Sequence, residues 1–138
     1  MPEPSGEKVI MFLARLLKDK GLIEFCEAAK ALKKTGFKGR FVLVGDIDLD
    51  NPNSITQFEL CNYVNSGVVE HWGFSDNASK VITQAHIMVL PSYREGLPKS
   101  LIEAAACGRA VITTDVPGCR DAITPNETGL LIPIKSHL

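Results

Sequence analysis

The residues best suited to chemistry lie in one stretch, Pro91-Ser-Tyr-Arg-Glu-Gly-Leu-Pro-Lys-Ser-Leu-Ile-Glu103. A strand-like apolar run precedes it, and a helix-like pattern takes over from Pro98. The first N–H groups of such a helix lack internal partners and carry the positive end of its dipole, which makes an anion site. Gly96 lets a ligand approach the backbone. Glu95 stands just before the helix, and Glu103 falls about 1.5 turns inside it when Pro98 takes the first position. Two carboxylates thus flank one phosphate-sized site, and carboxylates accept hydrogen bonds from hydroxyl pairs. The ligand this predicts has a phosphate between two polyol ends.

A second cluster, Ala14-Arg15-Leu-Leu-Lys18-Asp-Lys20-Gly21, follows the first apolar run. Arg15 would bring a fork and Lys20 a point charge to the same phosphates. Spacing alone favours a solvated charge cluster at a helix start. Cations there oppose the helix dipole, however, which argues for an anionic partner. Other candidates resolve towards ordinary structure. Asp46-Ile-Asp48 mimics a metal-carrying Asp-x-Asp, yet its turn-forming neighbours make it a solvated loop. His71 and His86 lie in strand-like runs, where a lone histidine is more often packed or edge-exposed than catalytic, and His137 is next to the end of the sequence. Trp72 reads as core rather than as a stacking platform. Asp115 and Asp121 suit turns and caps as well as a ligand contact. Arg94 fits a phosphate, an acceptor or water.

The elements that must position these residues alternate. Lys8–Ala14 is a near-continuous apolar run, as in a strand buried on both faces. Leu22, Phe25, Cys26, Ala29 and Leu32 recur at helical steps until Gly36. Further strands are expected at Arg40–Val44, Val68–Trp72, His86–Leu90, Ala110–Thr114 and Gly129–Ile132. Between them, Asn53 or Ser54 would cap one helix, Asp76 would cap a short one running to Ala85, and Pro98 would open one running to Cys107 with Gly108 as its stop. This pattern predicts an α/β fold: a Rossmann-like parallel sheet of about six strands with helices on both faces. Ligands of such a sheet bind beyond the carboxyl ends of its strands, where both clusters fall. The pattern stops after the last strand, so the chain reads as one piece of something longer.

The 138 residues suit a single domain over residues 1–138, and 45% hydrophobic with 22% charged residues is a globular composition. Fifteen basic against sixteen acidic residues give a net charge of -1, which supplies no general field for nucleic acid or anionic membrane. The longest apolar run is far too short to cross a bilayer, and the N-terminus lacks the form of a secretion signal. Four cysteines form no Cys-x-x-Cys pair and have no histidine at ligand spacing. Cys26, Cys61 and Cys107 suit buried free thiols in a reducing, cytoplasmic compartment.

The ordered set FLARLLKDKG, FVLVGD, SYREGLPKSLIEAAACGRAV, TTDVPGCRD and TGLLIP strongly resembles family 4 of the retaining glycosyltransferases. It is similar to the carboxy-terminal, donor-binding half of their GT-B fold, over roughly Lys8 to Pro133, and most of all to bacterial enzymes of capsule, exopolysaccharide and lipopolysaccharide synthesis. The resemblance implies roles residue by residue. Glu95 would hold donor-sugar hydroxyls with the backbone of Gly96 and Leu97, and Glu103 would accept from the ribose. Arg15 and Lys20 would stabilise the departing diphosphate, a task shared by the helix start at Pro98, Lys99, Ser100 and Leu101. Gly73 and Phe74 would lie near the base. Transfer would retain anomeric configuration by front-side displacement, without a metal or other cofactor, from a uridine diphosphate sugar. An amino-terminal acceptor domain and closing helices, absent from this sequence, would complete the enzyme. Any membrane contact, at the inner face of the cell membrane, would come through that domain, and the chain alone would bind donor without transferring it.

Two rivals come from other classes. A stand-alone nucleotide-binding or regulatory module would bind nucleotide without preference for the sugar. A nucleotide-sugar epimerase or glycan phosphorylase would demand a different base or cofactor. A dinucleotide-dependent dehydrogenase is set aside, because no Gly-x-Gly-x-x-Gly follows the first strand.

Overall fold

The computed structural model describes residues 7–48, 50–92, 99–114 and 129–132. The described elements run β1 (Val9–Leu13), a 3-10 turn (Lys18–Lys20), α1 (Leu22–Lys34), β2 (Arg40–Val44), α2 (Gln57–Asn65), β3 (Glu70–Gly73), α3 (Ala78–Ile82), β4 (Ile87–Leu90), α4 (Lys99–Ala106), β5 (Ala110–Thr114) and β6 (Gly129–Ile132). The strands form one sheet in the order β3-β2-β1-β4-β5-β6, every neighbouring pair parallel. Right-handed crossovers then put α1 and α2 on one face and α3 and α4, which pack together, on the other.

The sequence explains this arrangement. Val9–Phe12 and Phe41–Val44 are buried, as central strands covered on both faces require. Helix α1 turns Leu22, Phe25, Cys26 and Ala29 inward. Phe25 meets Phe12 and Phe41 with ring centroids 5.6 and 6.0 Å apart, at the tilted and edge-on angles aromatic pairs favour.

Several expected boundaries and caps differ in the structure. Lys8 and Ala14 fall outside β1, although the Lys8 carbonyl accepts from Arg40 and the Ala14 amide donates to Val44. Strand β3 starts at Glu70 because the amides of Val68 and Val69 both turn back to the Tyr63 carbonyl. Helix α3 ends at Ile82, not Ala85, as Gln84 and Ala85 tighten into i to i−3 bonds. His86 precedes β4 rather than opening it. Helix α2 is capped by Thr56, not by Asn53 or Ser54: the Glu59 amide donates to Thr56 Oγ1 and the Thr56 amide to Glu59 Oε1, both at 3.1 Å. Asn77, not Asp76, caps α3, accepting from the Lys80 amide. Cys26 and Cys107 are buried free thiols, whereas Cys61 is half-exposed. Trp72 is half-buried against the core, with the Arg40 guanidinium 5.9 Å from its ring centre.

Candidate functional site

In this strand order the chain reverses its direction of travel between β1 and β4, and a parallel sheet leaves a crevice there beyond the carboxyl ends. Residues 14–21 leave β1 on that side, held down by Leu16 and Leu17, which are buried. Gly21 has φ 79°, and a Cβ on it would overlap the Pro91 carbonyl, so the segments after β1 and β4 touch where no side chain fits. Ser92 Oγ adds a hydrogen bond to the Asp19 carbonyl at 3.2 Å. Gly45 meets the Ala14 carbonyl in the same way, joining the segment after β2 to that after β1.

Beside that crevice, between the segments that follow β1, β2 and β3, lies a cavity of about 410 Å³, and neither Pro91 nor Ser92 lines it. Leu13, Val44 and Ile47 give it an apolar floor, and Arg15, Asp48 and Phe74 bring charge and an aromatic ring to its walls. Arg15 Nη1 is 3.5 Å from Asp48 Oδ2, with the Arg15 side chain 63% exposed. Phe74 is 72% exposed, so its ring is open to a ligand that enters the cavity. The described lining therefore offers one cation, an aromatic ring and the carboxylates of Asp46 and Asp48, so an anionic group can be met at Arg15 and hydroxyl or N–H donors at the carboxylates.

The predicted site residues distribute as follows. Arg15, Gly73 and Phe74 stand at the carboxyl ends of β1 and β3, and Arg15 and Phe74 share the cavity wall. Lys20 closes the 3-10 turn that follows Arg15. Lys99, Ser100 and Leu101 form the first turn of α4, and Glu103 lies half-buried in its middle. Glu95, Gly96, Leu97 and Pro98 lie outside the described residues, as do Arg94, Asp115, Asp121 and His137. Neither Lys20 nor Glu103 lines the cavity.

The structure changes the reading of Asp46-x-Asp48. It is not merely a solvated loop, because Asp48 is half-buried on the cavity wall beside Arg15. Among the described residues no cluster of three or more His, Cys, Asp or Glu is arranged to hold a metal ion. His86 is buried at the opposite end of the sheet, its Nδ1 accepting from the Val9 amide at 3.0 Å. His71 Nε2 donates to the Gly45 carbonyl at 2.7 Å. Sequence reasoning missed Asp48 as a partner of Arg15 and Ser92 as a tie between two loops. It also missed Thr56-x-x-Glu59, although that spacing is a helix-start signature legible without a structure.

Among the described residues no helix is long and apolar enough to cross a membrane. The family model described as glycosyl transferases group 1 matches residues 7–137. The chain is 38% identical over 128 residues to the N,N'-diacetylbacillosaminyl-diphospho-undecaprenol alpha-1,3-N-acetylgalactosaminyltransferase of Campylobacter jejuni, covering 93% of this chain and 32% of that protein. Among solved structures it superposes on sucrose-phosphate synthase from Thermosynechococcus elongatus with a TM-score of 0.79 and 31% identity, over 97% of this chain and 34% of that one. It also superposes on the pneumococcal O-GlcNAc transferase GtfA in complex with UDP and GlcNAc, with a TM-score of 0.73 and 26% identity, over 93% of this chain and 25% of that one. The chain thus spans about a third of the length of the curated relatives it matches. With its motifs in order on a parallel sheet of this topology, the chain belongs to the group 1 glycosyl transferases, the family-4 enzymes its sequence resembles.

Proposed function

We propose that this chain is the donor-binding half of a retaining, cytoplasmic glycosyltransferase that uses a uridine diphosphate sugar and passes the sugar to a glycan or lipid-linked acceptor held by a separate domain. The observation that carries the reading is the convergence of Arg15 and Phe74 on one cavity beyond the carboxyl ends of β1, β2 and β3, within a family match spanning residues 7–137. A flat apolar ring beside a cation suits a nucleotide base and its diphosphate. The complex of GtfA with UDP and GlcNAc supports the choice of nucleotide.

In this reading Arg15 and Lys20 neutralise the diphosphate as it departs, the amides of α4 at Lys99–Leu101 add the positive end of a helix dipole, and Phe74 lies against the base. Glu103 accepts hydrogen bonds from the ribose, and Glu95 orients the donor sugar with the backbone of Gly96, Leu97 and Pro98. Charge on the leaving group is met by cations and amides of the chain itself, so binding needs no metal. Acceptor recognition and any membrane contact belong to the acceptor domain.

Calorimetric titration of the chain with uridine diphosphate and its hexose and N-acetylhexosamine derivatives tests this. The wild type is expected to bind each ligand equally well with and without chelator. Arg15→Ala should weaken all of them by about tenfold, the value of one charge-assisted contact. Glu103→Ala should weaken all, and Glu95→Ala only those bearing a sugar. Binding of the bare nucleotide with no preference for any sugar would instead mark a nucleotide-binding module, and dependence on a divalent ion would remove the metal-free reading.

A further inference from the structure

The 3-10 turn Lys18–Lys20 is the segment that connects Arg15 to Lys20, and its amino end has an unusual cap. Its N-cap residue is Leu17, whose side chain accepts no hydrogen bond. The first amides of the turn are satisfied from elsewhere in the chain. The Lys18 amide donates to the Asn53 carbonyl at 2.7 Å, and the Asp19 amide to the Asn53 side-chain Oδ1, also at 2.7 Å. One residue of the segment between β2 and α2 therefore caps a turn 34 positions away.

Asn53 is itself held in place. Its amide donates to Asn51 Oδ1 at 2.8 Å, an Asx turn that fixes its backbone. Around it, the Ile55 amide donates to the Leu16 carbonyl, and Leu17 forms a bridge with Ser54. The Asp19 carbonyl, on the far side of the turn, accepts from Ser92 Oγ. The turn is thus clamped between two neighbouring loops, and Asn53 supplies both bonds to its leading edge. Apart from these bonds Asn53 is exposed, so no packing explanation competes for its place.

We infer that Asn53 is a positioning residue for the phosphate end of the donor site, acting through the Lys18–Lys20 turn on Lys20. The inference rests on the proposal that Lys20 meets the donor diphosphate. A truncated Asn53 keeps its backbone bond to Lys18 but leaves the Asp19 amide to water, which loosens the turn next to Lys20 and makes its ammonium costlier to hold at the phosphate.

The test is a double-mutant cycle on the 138-residue chain with uridine diphosphate as probe, combined with amide hydrogen exchange. Asn53→Ala is expected to weaken binding by about tenfold. It should speed exchange at the Asp19 amide while leaving β1 and β2 protected, and Asn53→Asp, which keeps the acceptor, should restore that protection. On a Lys20→Ala background the loss caused by Asn53→Ala should shrink to about twofold or less, because the residue it positions is gone. Should Asn53→Ala not fold, Asn53→Ser, with a side chain too short to span to Asp19, carries the same expectations. Wild-type binding that survives Asn53→Ala, or a full second loss on the Lys20→Ala background, overturns the positioning role and leaves the donor reading intact. Lys20→Ala binding as tightly as wild type removes Lys20 from the phosphate and overturns the positioning role, whereas absence of wild-type binding overturns the donor reading and the positioning role with it.

Discussion

Arg15 leans on Asp48 across 3.5 Å with most of its side chain in water. An ion pair this exposed stabilises by at most about 1 kcal/mol, which a doubly charged diphosphate readily outcompetes. The pair keeps the guanidinium over the cavity without locking it there. From spacing alone Arg15 reads as part of a solvated charge cluster, and only the dipole argument and the family resemblance single it out in the sequence. Asp48 was not legible there, because its turn-forming neighbours explain it locally and its partner lies 33 residues away. Cys26 offers a residue-scale check on the core. Burial, aided by the nearby Glu27 carboxylate, pushes its thiol up to about 12, so almost no thiolate exists near neutral pH. Iodoacetamide should therefore leave Cys26 unmodified in the native chain under conditions that alkylate half-exposed Cys61, and should modify both in urea, as peptide mass mapping would reveal.

The existence and type of most elements were legible in apolar patterning: β1 and β2 are near-continuous apolar runs, as strands buried on both faces require, and α1 repeats its apolar residues at three- and four-residue steps. The bounds of β2, β5 and β6 were legible too, but the caps of α2 and α3 were not, because caps are set by side-chain geometry that neighbouring polar residues in a loop can equally supply. Residues 53–56 run Asn-Ser-Ile-Thr, three of them good caps. Thr56 wins α2 because Glu59 completes the reciprocal box, while Asn53 spends its cap on another segment. The thermodynamic value of that box is measurable. The backbone amide and hydroxyl of Thr56, with the Lys18 ammonium 3.5 Å away, hold the Glu59 carboxyl below the usual carboxylate range. Thr56→Ala should cost about 1 kcal/mol in urea unfolding near neutral pH. The Glu59 share of that stability is present above the ordinary carboxylate value and lost as pH falls through the lowered one, so the deficit should narrow in acid.

At the scale of the molecule, the sheet ends in two strands of four residues each, β3 and β6, and short edges discourage pairing with other chains. The β3 edge is joined to β2 by a two-pronged contact in which Arg40 Nε and Nη2 donate to Glu70 at 2.8 and 2.7 Å. The Arg40 hydrogen bonds depress the Glu70 carboxyl, so the pair stabilises above the ordinary carboxylate range and fades as pH drops through the lowered value. Both partners are about two-fifths exposed, which limits the gain. Glu70→Gln should lose about 0.5–1 kcal/mol near neutral pH and nothing in strong acid, read from paired urea titrations. The strand order also governs how the chain is made. Strand β1 sits at the middle of the sheet, and its amino end bonds to His86, 77 residues downstream. A ribosome adds about 5–20 residues per second, so β1 waits roughly 4–15 s for one of its two neighbours to be synthesised. During that interval a wholly apolar strand is a nascent edge, and a chaperone that shields it would serve the yield of this domain more than its final stability.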